Sequence, residues 1–164
     1  RDCLLSRGLG DVYKRQDDKI LKKDIDHPEN IGVLIENPNF WKRYTGMETL
    51  KLLADIRKQA TEDDIKNALV RVGLEPSDKR VVRKYSLGMR QKLGIAQAIM
   101  EKPDILLLDE PTNALDKKSV EQVRKIIHEE AERGAIVIIA SHNPQDIEGC
   151  SAILEMAEGR VCDE

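Results

Sequence analysis

The chain has 164 residues, 35% charged and 40% hydrophobic, with 27 Lys and Arg against 30 Asp and Glu for a formal net charge of -3. That is a globular composition, long enough to bury a core, and its near-neutral balance gives no general electrostatic reason to bind nucleic acid or an anionic membrane. No apolar run approaches bilayer-spanning length, so a membrane role would come through a partner, and three cysteines without C-x-x-C spacing form neither a disulfide framework nor a zinc site and suit a reducing compartment.

Residues 1–16 show no clear helical or strand period and lack the apolar stretch of a signal peptide. The run SRGLGDVYKRQ, Ser6 to Gln16, resembles one translated frame of an adapter used in transposase-based sequencing libraries. We expect residues 1–16 to be a non-native segment and the fold to begin near Asp17; the other reading is a flexible N-terminal arm. Ile31 to Ile35 (IGVLI) reads as a buried strand broken by Pro38 and Asn39. Thr45 with Glu48 three residues on is a capping box, opening a helix to about Arg57 with Leu50, Leu53 and Ala54 on one face. Thr61, followed by Glu62, Asp63 and Asp64, caps a second helix striped by Ile65, Leu69 and Val72 and stopped at Gly73. Pro76 and the basic stretch Lys79 to Lys84 form a connector, and Ser86 caps a third helix running to about Met100.

After Pro103 the period changes. Ile105 to Leu108 and Ala135 to Ala140 are unbroken aliphatic runs, as expected of strands covered on both faces of a parallel sheet. Between them a helix of about Lys117 to Arg133 carries Val120, Val123, Ile126 and Ile127 and ends at Gly134, making one right-handed crossover unit. Ala152 to Met156 and Arg160 to Val161 read as a hairpin around Glu158–Gly159. The fold class is α/β, with a helical part over about 40–100 between stretches of sheet.

The chemistry concentrates in YSLGMRQKLGIAQAIMEKPDILLLDEPTNALD, Tyr85 to Asp116. Asp109 stands where a strand leaves the carboxyl edge of the sheet, the place where open α/β folds bind ligands. A carboxylate there suits Mg²⁺ held through water, and Glu110 beside it can polarise an attacking water. Taken alone, such a pair could equally be loop charge or a helix cap. Ser86 and Gly88 sit at a helix N-terminus, whose free N–H groups favour an anion, although by themselves they could be a plain cap and a neighbouring glycine. His142 follows the last long strand at its carboxyl end.

Together these segments resemble the ABC transporter ATPases over essentially all of residues 17–164. Ser86 to Gln91 resembles the signature loop, Ile105 to Glu110 the Walker B strand, Asn113 to Asp116 the D-loop, and His142 the switch histidine. The resemblance implies a partial P-loop NTPase sheet with an inserted helical signature subdomain, and ATP and Mg²⁺ as ligands. It implies Glu110 and His142 in catalysis. It assigns Asp109 to water-bound Mg²⁺, Ser86 and Gly88 to the γ-phosphate of ATP on the other subunit, and Asp116 to the dimer interface. The partners implied are a second cassette in a head-to-tail dimer and an integral-membrane permease, at the cytoplasmic face of the membrane, with no nucleic acid. Leu87 and Met89 depart from the commonest signature, which has Gly and Gln there.

Glu36 takes the position where most such cassettes have Gln. With Pro38, Phe40, Trp41 and the T-G-x-E run at Thr45 to Glu48, it resembles exporters that protect bacteria from bacitracin and lantibiotic peptides. Glu36 is expected to take a Mg²⁺-bound water, and the aromatic loop to lie under the groove that meets the permease, unless these rings only pack the helices onto the sheet. The alternative for the whole chain is a soluble ABC ATPase acting on ribosomes or DNA. The 164 residues contain no G-x-x-x-x-G-K-[ST]. The phosphate loop is expected upstream of Asp17, so the chain alone is expected to be inactive and to leave apolar sheet surface uncovered.

Overall fold

The computed structural model describes residues 15–16, 19–20, 30–157 and 160–161. Most of residues 1–16 and the expected turn at Glu158–Gly159 lie outside the described residues. Two short antiparallel pairs stand near the ends: β1 (Arg15–Gln16) with β2 (Lys19–Ile20), and β6 (Met156–Ala157) with β7 (Arg160–Val161). The first joins residues on either side of the boundary expected at Asp17.

The central sheet has three parallel strands in the order β3 (Ile31–Leu34), β4 (Ile105–Asp109), β5 (Ile136–Ala140). Between β3 and β4 come α1 (Gly46–Arg57), α2 (Glu62–Arg71) and α3 (Leu87–Ile99), so the helical part is an excursion between two paired strands. The expected capping box forms: Thr45 accepts from Glu48 N while Glu48 returns to Thr45 N; Thr61, expected only as a cap, forms a second box with Asp64. Gly73, at φ 73, ends the turn after α2, a conformation that costs other residues dearly. Helix α4 (Lys117–Glu132) joins β4 to β5, and Asn143 caps the one-turn helix α5 (Pro144–Ile147), for which the sequence carries no periodic signal.

The strand register puts Gly32 and Leu34 on one face with Leu106, Leu108, Val137 and Ile139. Helix α3 packs closely there: a Cβ on Gly32 would lie 2.0 Å from the Ala98 carbonyl oxygen, and one on Gly94 2.6 Å from Leu34 Cδ1. Val123 and Ile126 of α4 join the same cluster, with Leu50, Leu69, Leu93 and Ile95. Each fully buried aliphatic side chain contributes about 1.5–3 kcal/mol relative to exposure.

The opposite face corrects the expectation of strands covered on both sides and carries the uncovered apolar surface expected of the chain. Ile136 and Ile138 are 61% and 55% exposed, and Ile31, Val33, Ile105 and Leu107 are only partly covered. The physical reason is that α3 and α4 both pack on the Leu106–Leu108 face, and none of the described helices packs on the other. An unbroken aliphatic run records what a strand can bury, not what covers it.

Candidate active site

The site forms where β4 and β5 end side by side. Asp109 pairs with Ala140, and Glu110 N donates to the Ala140 carbonyl at 2.8 Å, extending the ladder by one bond. There the chain turns sharply. Glu110 has φ 47, and Asn113 N donates back to the Glu110 carbonyl at 3.2 Å. A left-handed glutamate costs roughly 1–3 kcal/mol and persists only when its surroundings hold it. Its carboxylate thereby reaches the exit of β5. Oε1 accepts from His142 N at 3.0 Å and lies 2.6 Å from His142 Nδ1.

An ionised carboxylate only accepts, so Nδ1 carries the proton in this contact. The hydrogen bond to Glu110, and then its charge, raise the His142 pKa, with smaller contributions from Glu36 and Asp146. That favours the imidazolium, in which Nε2 also donates. The ring is largely exposed, and Nε2 makes no hydrogen bond among the described residues. Glu36, on the loop after β3, donates its N–H to Asp109 Oδ2 at 3.4 Å. The structure therefore brings Glu36, Asp109, Glu110 and His142 together at one edge of the sheet.

Four side chains to which the motif reading gave no role hold this arrangement. Gln91 of α3 is buried, and its Nε2 donates to the carbonyls of Glu110 at 2.9 Å and Pro111 at 3.3 Å. Thr112, Asp146 and Arg124 form a buried network with Ser141, which precedes His142. For Gln91 a usable signal existed, a polar residue on the otherwise apolar inward face of α3. For Asp146 there was none, because two of its partners, Thr112 and Arg124, are 34 and 22 residues away.

Ser86, Gly88 and Asp116 form a separate group, with no hydrogen bond to the first among the described residues. Ser86 Oγ accepts from Met89 N at 3.1 Å as the cap of α3, which leaves its hydroxyl proton free to donate. Gly88 is required for a reason the sequence did not reveal: a Cβ there would lie 2.8 Å from the carbonyl oxygen of Ala114, itself at φ 60. The glycine lets α3 start against the loop after β4. Asp116 caps α4 through Ser119 N at 2.9 Å, and that bond lowers its pKa.

The aromatic loop divides. Phe40 packs against the core, whereas Trp41 and Tyr44 are about half exposed and meet edge to face with centroids 6.4 Å apart. Asn39, Phe40, Trp41, Leu53 and Gln97 line an open groove of about 380 Å³.

The ABC transporter family model matches residues 7–113. The chain belongs to the ABC transporter family. An ABC transporter ATP-binding protein of Bacillus subtilis, YybJ, is 50% identical over 142 residues, covering 86% of this chain and 65% of the relative. The bacitracin transport ATP-binding protein BcrA of Enterococcus faecalis is 38% identical, covering 82% of this chain and 44% of its own length. The lantibiotic transport ATP-binding protein SrtF of Streptococcus pyogenes is 37% identical, covering 72% and 51%. The chain thus spans less than two thirds of the length of these relatives. The ATP-binding cassette MJ0796, solved as a post-hydrolysis dimer with ADP and Pi, superposes with a TM-score of 0.68 at 22% identity over 80% of this chain and 62% of that one. That likeness establishes the α/β cassette fold.

The segments that resemble Walker B, the switch histidine and the signature loop fall on β4, after β5 and at the start of α3. Among the described residues no group of three or more His, Cys, Asp or Glu is arranged to hold a metal alone. Two acidic side chains at the sheet edge still fit Mg²⁺, which retains much of its water and takes few protein ligands.

Proposed function

We propose that the intact protein containing this chain is the ATP-hydrolysing subunit of an exporter of antimicrobial peptides or drugs. Its partners would be an integral-membrane permease and a second cassette in a head-to-tail dimer, at the cytoplasmic face of the membrane. The observation that carries the hydrolytic reading is Glu110, turned out of β4 and bonded twice to His142 beside Asp109. Glu110 accepts a proton from the attacking water, and His142 orients Glu110 through Nδ1 while Nε2 points toward transferred phosphate. Asp109 and Glu36 would hold water-bound Mg²⁺, which supplies charge neutralisation at the triphosphate. Ser86 and Gly88 contribute to ATP bound by the partner cassette, and Asp116 lies at that interface.

The choice of peptide antibiotics rests on the Glu36 loop and on the bacitracin and lantibiotic relatives. A soluble ATPase acting on ribosomes or DNA is less well supported, because the relatives named above are transporter subunits. Residues 1–164 alone carry no Walker A pattern, and we propose that they do not hydrolyse ATP. The test is an intact cassette with Glu110→Gln. ATP binding is retained while turnover falls by roughly 10²–10⁴-fold, the usual worth of a general base. Turnover at the parent rate would remove Glu110 from the role.

A further inference from the structure

Asp146 has almost no solvent contact, its side chain being 1% exposed. A carboxylate in such a place is tolerated only when its lone pairs are used. Here they are. Oδ1 accepts from Arg124 Nη2 at 2.9 Å and Nε at 3.3 Å. Oδ2 accepts from Thr112 Oγ1 at 2.5 Å and Ser141 Oγ at 3.0 Å. These donors come from α4, from the turn two residues past Glu110, and from the residue before His142. One buried group therefore ties together the segments that carry Glu110 and His142.

Ser141 is the pivot. Its hydroxyl has one proton and two carboxylates in reach, Asp146 Oδ2 at 3.0 Å and Glu110 Oε2 at 3.3 Å. Its oxygen accepts from Asn143 N at 3.1 Å. Glu110 already receives two N–H groups from His142. A further donor would occupy Glu110 Oε2, the oxygen that an attacking water needs. The ionisable groups around Glu110 are His142, Asp109, Glu36 and Asp146, the last with Arg124 behind it.

We infer that Asp146 is a positioning residue for hydrolysis: it takes the Ser141 hydroxyl proton, so that Glu110 keeps Oε2 open for the attacking water, and it ties the Thr112 turn to the His142 loop. This rests on Glu110 being the general base proposed above. Asn at position 146 has the same shape but no charge. Its amide cannot satisfy Arg124 and both hydroxyls, and the Ser141 proton turns to Glu110.

The test uses an intact cassette with Asp146→Asn, Ser141→Ala and the double variant, with Glu110→Gln as reference. For Asp146→Asn, kcat falls about tenfold or more at unchanged KM for ATP. Adding Ser141→Ala restores most of the lost kcat, because no hydroxyl is left to occupy Glu110 Oε2, which a general loss of packing would not do. Parental kcat in Asp146→Asn, a loss expressed only in KM, or a loss that Ser141→Ala does not restore overturns the inference. If Asp146→Asn does not fold, Ser141→Ala alone decides: its kcat stays within about twofold of the parent if the hydroxyl proton belongs to Asp146 and rises severalfold if it belonged to Glu110. Parental turnover in Glu110→Gln would instead overturn the base assignment itself.

Discussion

Glu110 and Ser86 are both proposed to serve ATP, yet their surroundings differ. The Glu110 carboxylate meets backbone and ring nitrogens of His142, its carbonyl is gripped by Gln91, and the turn behind it is tied to Asp146. Among the described residues the Ser86 side chain makes only the bond that begins α3, and Gly88 packs on the loop at Ala114. A group whose geometry is over-determined within one chain can do chemistry as soon as substrate is held. Donors left pointing outward from a helix start acquire a purpose only when an anion is brought to them. The two regions thus read as a hydrolytic half-site and as a contribution to another.

Breaking the first half has the largest expected effect. In an intact cassette, His142→Ala lowers kcat by about 10²-fold, with a smaller change in ATP affinity, because its contact matters most to charge developing in the transition state. Equal losses in both would mean that His142 only binds. Next comes the packing that separates the halves. Gly88→Ala sets a methyl against the Ala114 carbonyl and destabilises the chain by roughly 1–3 kcal/mol in urea unfolding. Ser86→Ala removes the cap and costs the chain about 1 kcal/mol. In an intact dimer it lowers hydrolysis as well, whereas an effect confined to stability would reduce Ser86 to a cap.

Smaller effects sharpen the electrostatics. Glu36→Gln keeps hydrolysis while changing export of peptide antibiotics, and unchanged export of all of them would separate this loop from the permease. The His142 pKa is raised in the folded chain, so its contribution to stability is complete below the ordinary histidine value. It fades as pH rises through the raised one. Glu110→Gln brings the titration, followed by NMR of the ring protons, back toward the ordinary value.

Local chemistry was legible in the sequence. Thr45 with Glu48, Thr61 with Asp64, and Ser86 are signals contained within one turn, and they begin α1, α2 and α3 where expected. Glu110 and His142 could be singled out because each ends an apolar run, and strands 31 residues apart in register bring them together. The rest depends on contacts across the fold. Asp146 and Thr112 became partners through the pairing of β4 with β5, and Gly88 is explained by a carbonyl 26 residues on. Uncovered apolar sheet surface was expected, but not which face of β5 would stay bare, since composition states what a strand favours and topology decides what it meets.

The most direct test of the division into halves is calorimetric titration of the soluble monomeric chain with Mg·ATP. The 164 residues carry no Walker A pattern, so Asp109, Glu110 and Glu36 are expected to repel a triphosphate, and Ser86 and Gly88 are proposed to serve a site on a partner. Affinity no tighter than about millimolar, roughly -4 kcal/mol, is the expected result. Micromolar binding by the monomer would contradict the account.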